Sequence, residues 1–132
     1  MKILQPEEWK KPSGYSNGIQ VKGEMIFVAG QVAWNKDSEI VNNSLIDQVR
    51  QCLQNVVRIL AEAKAKPEHI VRMVWYLINL EDYRNSLQEI GIVYHEEIGR
   101  HYPAMSLFQV SALLEARAKV EIEATAVLPM DI

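Results

Sequence analysis

Lys119-Val120-Glu121-Ile122-Glu123-Ala124-Thr125-Ala126-Val127 alternates without a break. Val120, Ile122, Ala124 and Ala126 point one way, and Glu121, Glu123 and Thr125 the other, as a half-buried strand requires. Acidic residues are poor strand formers, and this strand carries two carboxylates about 7 Å apart on one face. Such a pair marks either a solvated strand face or a site. Working back along the chain, Pro103-Ala104-Met105-Ser106-Leu107-Phe108-Gln109-Val110 reads as the preceding strand. Earlier still, Ile70 to Asn79 holds Met73-Val74-Trp75-Tyr76-Leu77-Ile78, apolar or aromatic in both alternating sets. A strand of that kind is covered on both faces.

Two helical patterns separate these strands. Ser44 caps a helix whose apolar face is Leu45, Val49, Cys52, Leu53, Val56, Ile59, Leu60 and Ala63, with Gln48, Gln51 and Asn55 on the opposite face. It is expected to end near Ala65, before Pro67. A second helix is expected from Glu81 through Leu87, Ile90, Val93, Tyr94 and Ile98 to Gly99. Toward the N-terminus, Met25 to Ala29 reads as a strand ending at Gly30. Ile19-Gln20-Val21-Lys22 reads as its hairpin partner across a Gly23-Glu24 turn. The turn-rich residues up to Ser16 are expected to wrap the surface. The order β-β-α-β-α-β-β predicts an α+β sandwich, both helices on one face of a mixed sheet. Two helices cover one sheet face only, so the two-sided strand at 73–78 calls for a partner copy.

The 132 residues are expected to form one domain, 1–132, with 48% hydrophobic and 23% charged residues, an ordinary globular composition. The single cysteine, Cys52, excludes an internal disulfide and fits a reducing compartment, the cytoplasm by default. It lies on an apolar helix face, the position of an inert thiol. No apolar run reaches bilayer length, so no membrane partner is expected. Residues 67–132 carry five Lys or Arg against ten Asp or Glu, which disfavours a nucleic-acid partner. His69, His95 and His101 lack metal-ligand spacing, and neither a metal nor a cofactor is expected.

Several short pieces, in this order and at this spacing, resemble the reactive intermediate deaminase family (RidA, or YjgF), also labelled endoribonuclease L-PSP-like or translation-inhibitor-like. They are Ser13-Gly14-Tyr15-Ser16, Phe27-Val28-Ala29-Gly30-Gln31, Gln48-Val49-Arg50-Gln51-Cys52-Leu53-Gln54-Asn55-Val56, Tyr102-Pro103-Ala104-Met105-Ser106 and Val120-Glu121-Ile122-Glu123-Ala124. The resemblance spans nearly the whole chain. It implies a chorismate-mutase-like fold, a homotrimer, and a small-molecule cleft between neighbouring subunits. Family deaminases hydrolyse 2-imino and enamino acids to 2-keto acids and ammonia. An arginine in Pro-Ala-Arg-Ser binds the substrate carboxylate, and a glutamate on the last strand positions water. Carried over, the catalytic glutamate falls on Glu121, and the substrate-binding positions on Tyr15, Ala29, Gly30, Gln31, Met105 and Ser106.

This chain departs from that pattern where charge matters most. Met105 stands at the arginine, Ala29 at a frequent serine and Leu107 at a frequent cysteine, so the expected pocket is more apolar than the family norm. Met105 cannot fork onto a carboxylate, which weighs against standard 2-imino-acid deamination. Lys119 shares the face of Glu121 and could substitute, although a charge at the strand end is the simpler reading. The sequence thus leaves a divergent imine or enamine hydrolase, a non-catalytic metabolite-binding or regulatory trimer, and, least favoured, an endoribonuclease or translation inhibitor.

Overall fold

The computed structural model describes residues 1–130. Six strands and three helices follow one another: β1 (Lys2–Leu4), β2 (Gly18–Gln20), β3 (Gly23–Gln31), α1 (Leu45–Glu62), β4 (Ile70–Leu77), α2 (Leu80–Arg84), α3 (Leu87–Glu97), β5 (Ala104–Gln109) and β6 (Val120–Pro129). A 3-10 turn at Pro67–His69 leads into β4. The main sheet has the order β3-β6-β4-β5, antiparallel except for the β4–β5 pair. The expected α+β arrangement holds, a mixed sheet with its two long helices on one face.

The alternation of β6 decides which face is which. Val120, Ile122, Ala124 and Ala126 are buried beneath the helices, and Glu121, Glu123 and Thr125 lie on the open face, each half-buried. Leu53, Leu60, Ile70, Met73, Leu77 and Ile122 form the fully buried centre. On the open face, Phe27 is 72% exposed with Met25 beside it at 58%, and Phe108 on the opposite edge strand is 51% exposed. Three large apolar side chains on one sheet face form a surface that ordinarily meets another protein.

Cys52 also belongs to this centre. Burial, and then the nearby Glu121 charge, push its thiol well above the usual range. A thiol so placed stays protonated and unreactive. Ellman's reagent at pH 8 is expected to leave native Cys52 unlabelled and to label it fully once urea unfolds the chain. Rapid labelling of the native protein would contradict the packing described.

Four local expectations are corrected. Gly23-Glu24 is not a hairpin turn; both residues belong to β3, pairing with Pro129 and Leu128. A Cβ on Gly23 would collide with the Leu128 backbone carbonyl, so the glycine permits a close approach rather than a turn. The strand before it is Gly18–Gln20, and its partner is β1, within the segment expected to wrap the surface. The second helix is two: Asn79 caps α2, and Asn85 and Ser86 close its last turn through backbone bonds to Glu81 O and Tyr83 O. The first helix ends at Glu62 rather than near Ala65, because Lys64 adopts a left-handed φ of 59°.

Gln48, assigned by type to the polar face of α1, is fully buried. Its amide donates to Asn42 O at 2.8 Å and Arg117 O at 3.2 Å, and accepts from Lys119 N at 2.8 Å. The side chain therefore ties the entry of α1 to the entry of β6. Asn55, read the same way, donates to Val32 O (3.2 Å) and Trp34 O (3.0 Å) and fixes the segment after β3.

Candidate functional site

Two clusters collect the residues expected to act. The first forms where β3 ends against β6. Val28 pairs with Ala124, and three residues later Gln31 pairs with Ile122, so β3 carries one extra residue in a bulge. The bulge turns Gly30 onto Glu121. A Cβ at position 30 would run into the Glu121 carboxylate, so glycine there leaves room for the acid. On its other side Glu121 pairs in register with Tyr76 of β4. The Gln31 amide donates to Ala29 O at 3.1 Å, bracing the bulge.

Glu123, the second carboxylate, is engaged differently. It accepts a hydrogen bond from the Tyr76 hydroxyl, which raises the Tyr76 pKa. No ion pair joins Lys119 to Glu121 among the described residues.

The second cluster lies beside β5 on the helix side. Ser16 bridges to Ala104; its N–H donates to Pro103 O (3.0 Å) and its hydroxyl to Tyr102 O (2.6 Å). These bonds carry Tyr15 to the mouth of a pocket of about 680 Å³. Met105 and Leu107 form its floor, Ser106 its rim, and Tyr83, Tyr94 and Tyr102 its walls. Tyr94 stacks on Tyr102, ring centres 5.9 Å apart, and spends its hydroxyl on His101 O at 2.6 Å. Burial raises the Tyr83 and Tyr94 pKa values, so both phenols are neutral donors. The indole N–H of Trp75, which also lines the pocket, is buried without a partner among the described residues.

Met105 aligns with Met73 and Ala124 on the helix side, whereas Glu121 aligns with Tyr76 and Phe108 on the open side. Within one chain, therefore, the sheet separates Met105 from Glu121. Tyr15 and Met105 come together, and Ser106 borders their pocket although it aligns with Val74 and Glu123 on the open side; Ala29, Gly30 and Glu121 come together; Met105 and Glu121 do not meet. Gln31 faces a third space, a polar cavity of about 470 Å³ shared with Trp34, Lys36, Gln51 and Arg58. The aromatic walls Tyr83, Tyr94 and Tyr102 were not anticipated as pocket residues. Their only sequence signal is that four of the chain's five tyrosines fall within the thirty residues before Met105.

No group of three or more His, Cys, Asp or Glu side chains able to hold a metal occurs among the described residues. No helix among them is long and apolar enough to cross a membrane.

Comparison with known proteins agrees with this fold. The family model described as Endoribonuclease L-PSP matches residues 7–128. A RutC family protein of Pyrococcus abyssi is 34% identical over 126 residues, covering 94% of each chain. The Escherichia coli K12 protein named "Putative reactive intermediate deaminase TdcF" is 31% identical, over 86% of this chain and 85% of its own. Among solved structures, the Rid-family protein YyfB of Yersinia pestis, itself of unknown function, superposes with a TM-score of 0.84. It is 34% identical and covers 96% of this chain and 98% of its own. With both the sequence pattern and the fold in agreement, the chain belongs to the RidA/YjgF family, the family of the Endoribonuclease L-PSP model.

Proposed function

We propose that the chain assembles as a homotrimer whose subunit boundaries join the two clusters, and that the resulting cleft hydrolyses small imines or enamines. The observation that carries this reading is the Gly30–Glu121 contact: a half-buried carboxylate is given space by the one residue type that leaves it room. The exposed Phe27 and Phe108 supply the apolar surface on which copies would meet.

In the step envisaged, the Glu121 carboxylate takes a proton from water as the water oxygen bonds to the imine carbon. The acid so formed gives that proton to the imine nitrogen, leaving a carbinolamine. Glu121 then passes the hydroxyl proton to the nitrogen, the carbon–nitrogen bond breaks, and a carbonyl compound and an amine or ammonia remain. An enamine enters the same sequence after protonation at carbon. The backbone at Ala29-Gly30-Gln31 positions the substrate, and Tyr15 and Ser106 close the pocket.

Standard 2-imino acids fit this cleft poorly, because Met105 offers their carboxylate no donor. In an ammonia-release assay with freshly generated 2-imino acids, Met105→Arg is expected to raise kcat/KM by about 10- to 100-fold over wild type. Equal rates for the two would remove Met105 from the account. A wild type that binds but never turns over any imine would favour the non-catalytic metabolite-binding reading, which the loss of the arginine already supports.

A further inference from the structure

The walls of the Met105 pocket differ in kind from a carboxylate site. None of its lining side chains carries a formal charge. Five aromatic rings surround the space: Tyr15, Trp75, Tyr83, Tyr94 and Tyr102 come from three strands or loops and two helices. They already pack on one another. Trp75 meets Tyr83 edge-on at 6.3 Å and 75°, and Tyr94 lies flat on Tyr102 at 13°. The pocket volume of about 680 Å³ falls within the usual range for small-molecule sites.

We infer that this pocket takes an uncharged planar ligand, an aromatic or conjugated imine, enamine or carbonyl compound, in preference to a carboxylate. The inference rests on the cleft proposed above. Flat tyrosine faces extend naturally onto a planar guest, and the neutral hydroxyls at the rim suit a single carbonyl or imine acceptor. A carboxylate has no cation to meet on these walls, and burying it unpaired is unfavourable. The first cluster makes matters worse for an anion, because the group it would bring to the cleft is the acid Glu121. Met105 is the floor of this design: a polarisable thioether that packs against rings and donates nothing.

The test uses the full chain and a matched pair of conjugated probes, benzamide and benzoate, titrated calorimetrically at pH 7. The amide is expected to bind about tenfold tighter than the acid, and Met105→Arg is expected to invert that order. Gly91→Trp locates the binding. Gly91 lines the pocket, and a Cβ there meets nothing within 4 Å, so a side chain at this position starts into open space. This variant is expected to weaken amide binding by more than about tenfold. Equal or tighter binding of the acid by wild type, amide binding that survives Gly91→Trp, or binding of neither probe at millimolar concentration would each overturn the inference. A turnover assay of the wild type separates it from the hydrolase reading. Amide preference that persists without wild-type turnover of any imine sinks the hydrolase alone; turnover with a preference for the acid sinks this inference alone.

Discussion

Glu121→Gln is expected to lower kcat on uncharged imines by about 10²- to 10⁴-fold, the range usual for loss of a positioned general base. The amide keeps the shape of the acid and its place over Gly30, but it cannot take a proton from water. The surroundings change little, because Glu121 forms no ion pair among the described residues. Folding is therefore expected to be preserved, and the thermal midpoint should stay within about 2 °C of wild type. A steady-state comparison alongside a melting curve checks both halves of the statement. A kcat within about threefold of wild type would deny Glu121 its role, whatever the fold.

Gln48→Leu carries the largest expected effect on stability. Leucine fills the space of the fully buried Gln48 but takes the side-chain partner from three part-buried backbone groups, Asn42 O, Arg117 O and Lys119 N–H. Each buried orphan costs about 1–3 kcal/mol, and relaxation toward solvent at residues 42 and 117, which are exposed, moderates the sum. A loss of about 2–4 kcal/mol is expected in urea unfolding, with the m-value unchanged. Gln48→Glu offers a useful contrast. It keeps the acceptor for Lys119 N–H but loses both donors, so it too should destabilise. A change below about 0.5 kcal/mol in Gln48→Leu would mean that the amide is not the tie between α1 and β6.

How much of this was legible in the chain depends on the range of the signal. Features written within a few residues were readable: the period-two pattern of β6, the Ser44 cap of α1, and the double-sided apolar run of β4. All three follow from local periodicity and local hydrogen bonding. Gln48 and Asn55 were misplaced because residue type suggests solvent, while their actual partners lie up to 71 residues away in sequence. Gly23 was misread as a turn because the feature that demands glycine, the Leu128 carbonyl, belongs to the last strand.

The site divides along the same line. Parity along β5 and along β6 can be read from sequence, and it says which residues share a face of each strand. It does not say which face of β5 matches which face of β6. That follows only from the register of β4, parallel to one neighbour and antiparallel to the other. Once the register is known, Met105 and Glu121 fall on opposite sides of the sheet. A list of site residues thus becomes two half-sites, which in the proposed trimer a second copy of the chain would join into one cleft.

That need for two copies is the central claim, and subunit mixing tests it most directly. Glu121→Gln and Gly91→Trp each disable one half-site, so each homotrimer alone should be inactive. When equal amounts are unfolded together and refolded, about one cleft in four should pair an intact Glu121 with an intact pocket, restoring about a quarter of wild-type activity. The double variant, with both changes in one chain, should recover none when refolded with itself. Activity that fails to return in the mixture, although both variants refold and co-assemble, would contradict a cleft shared between copies.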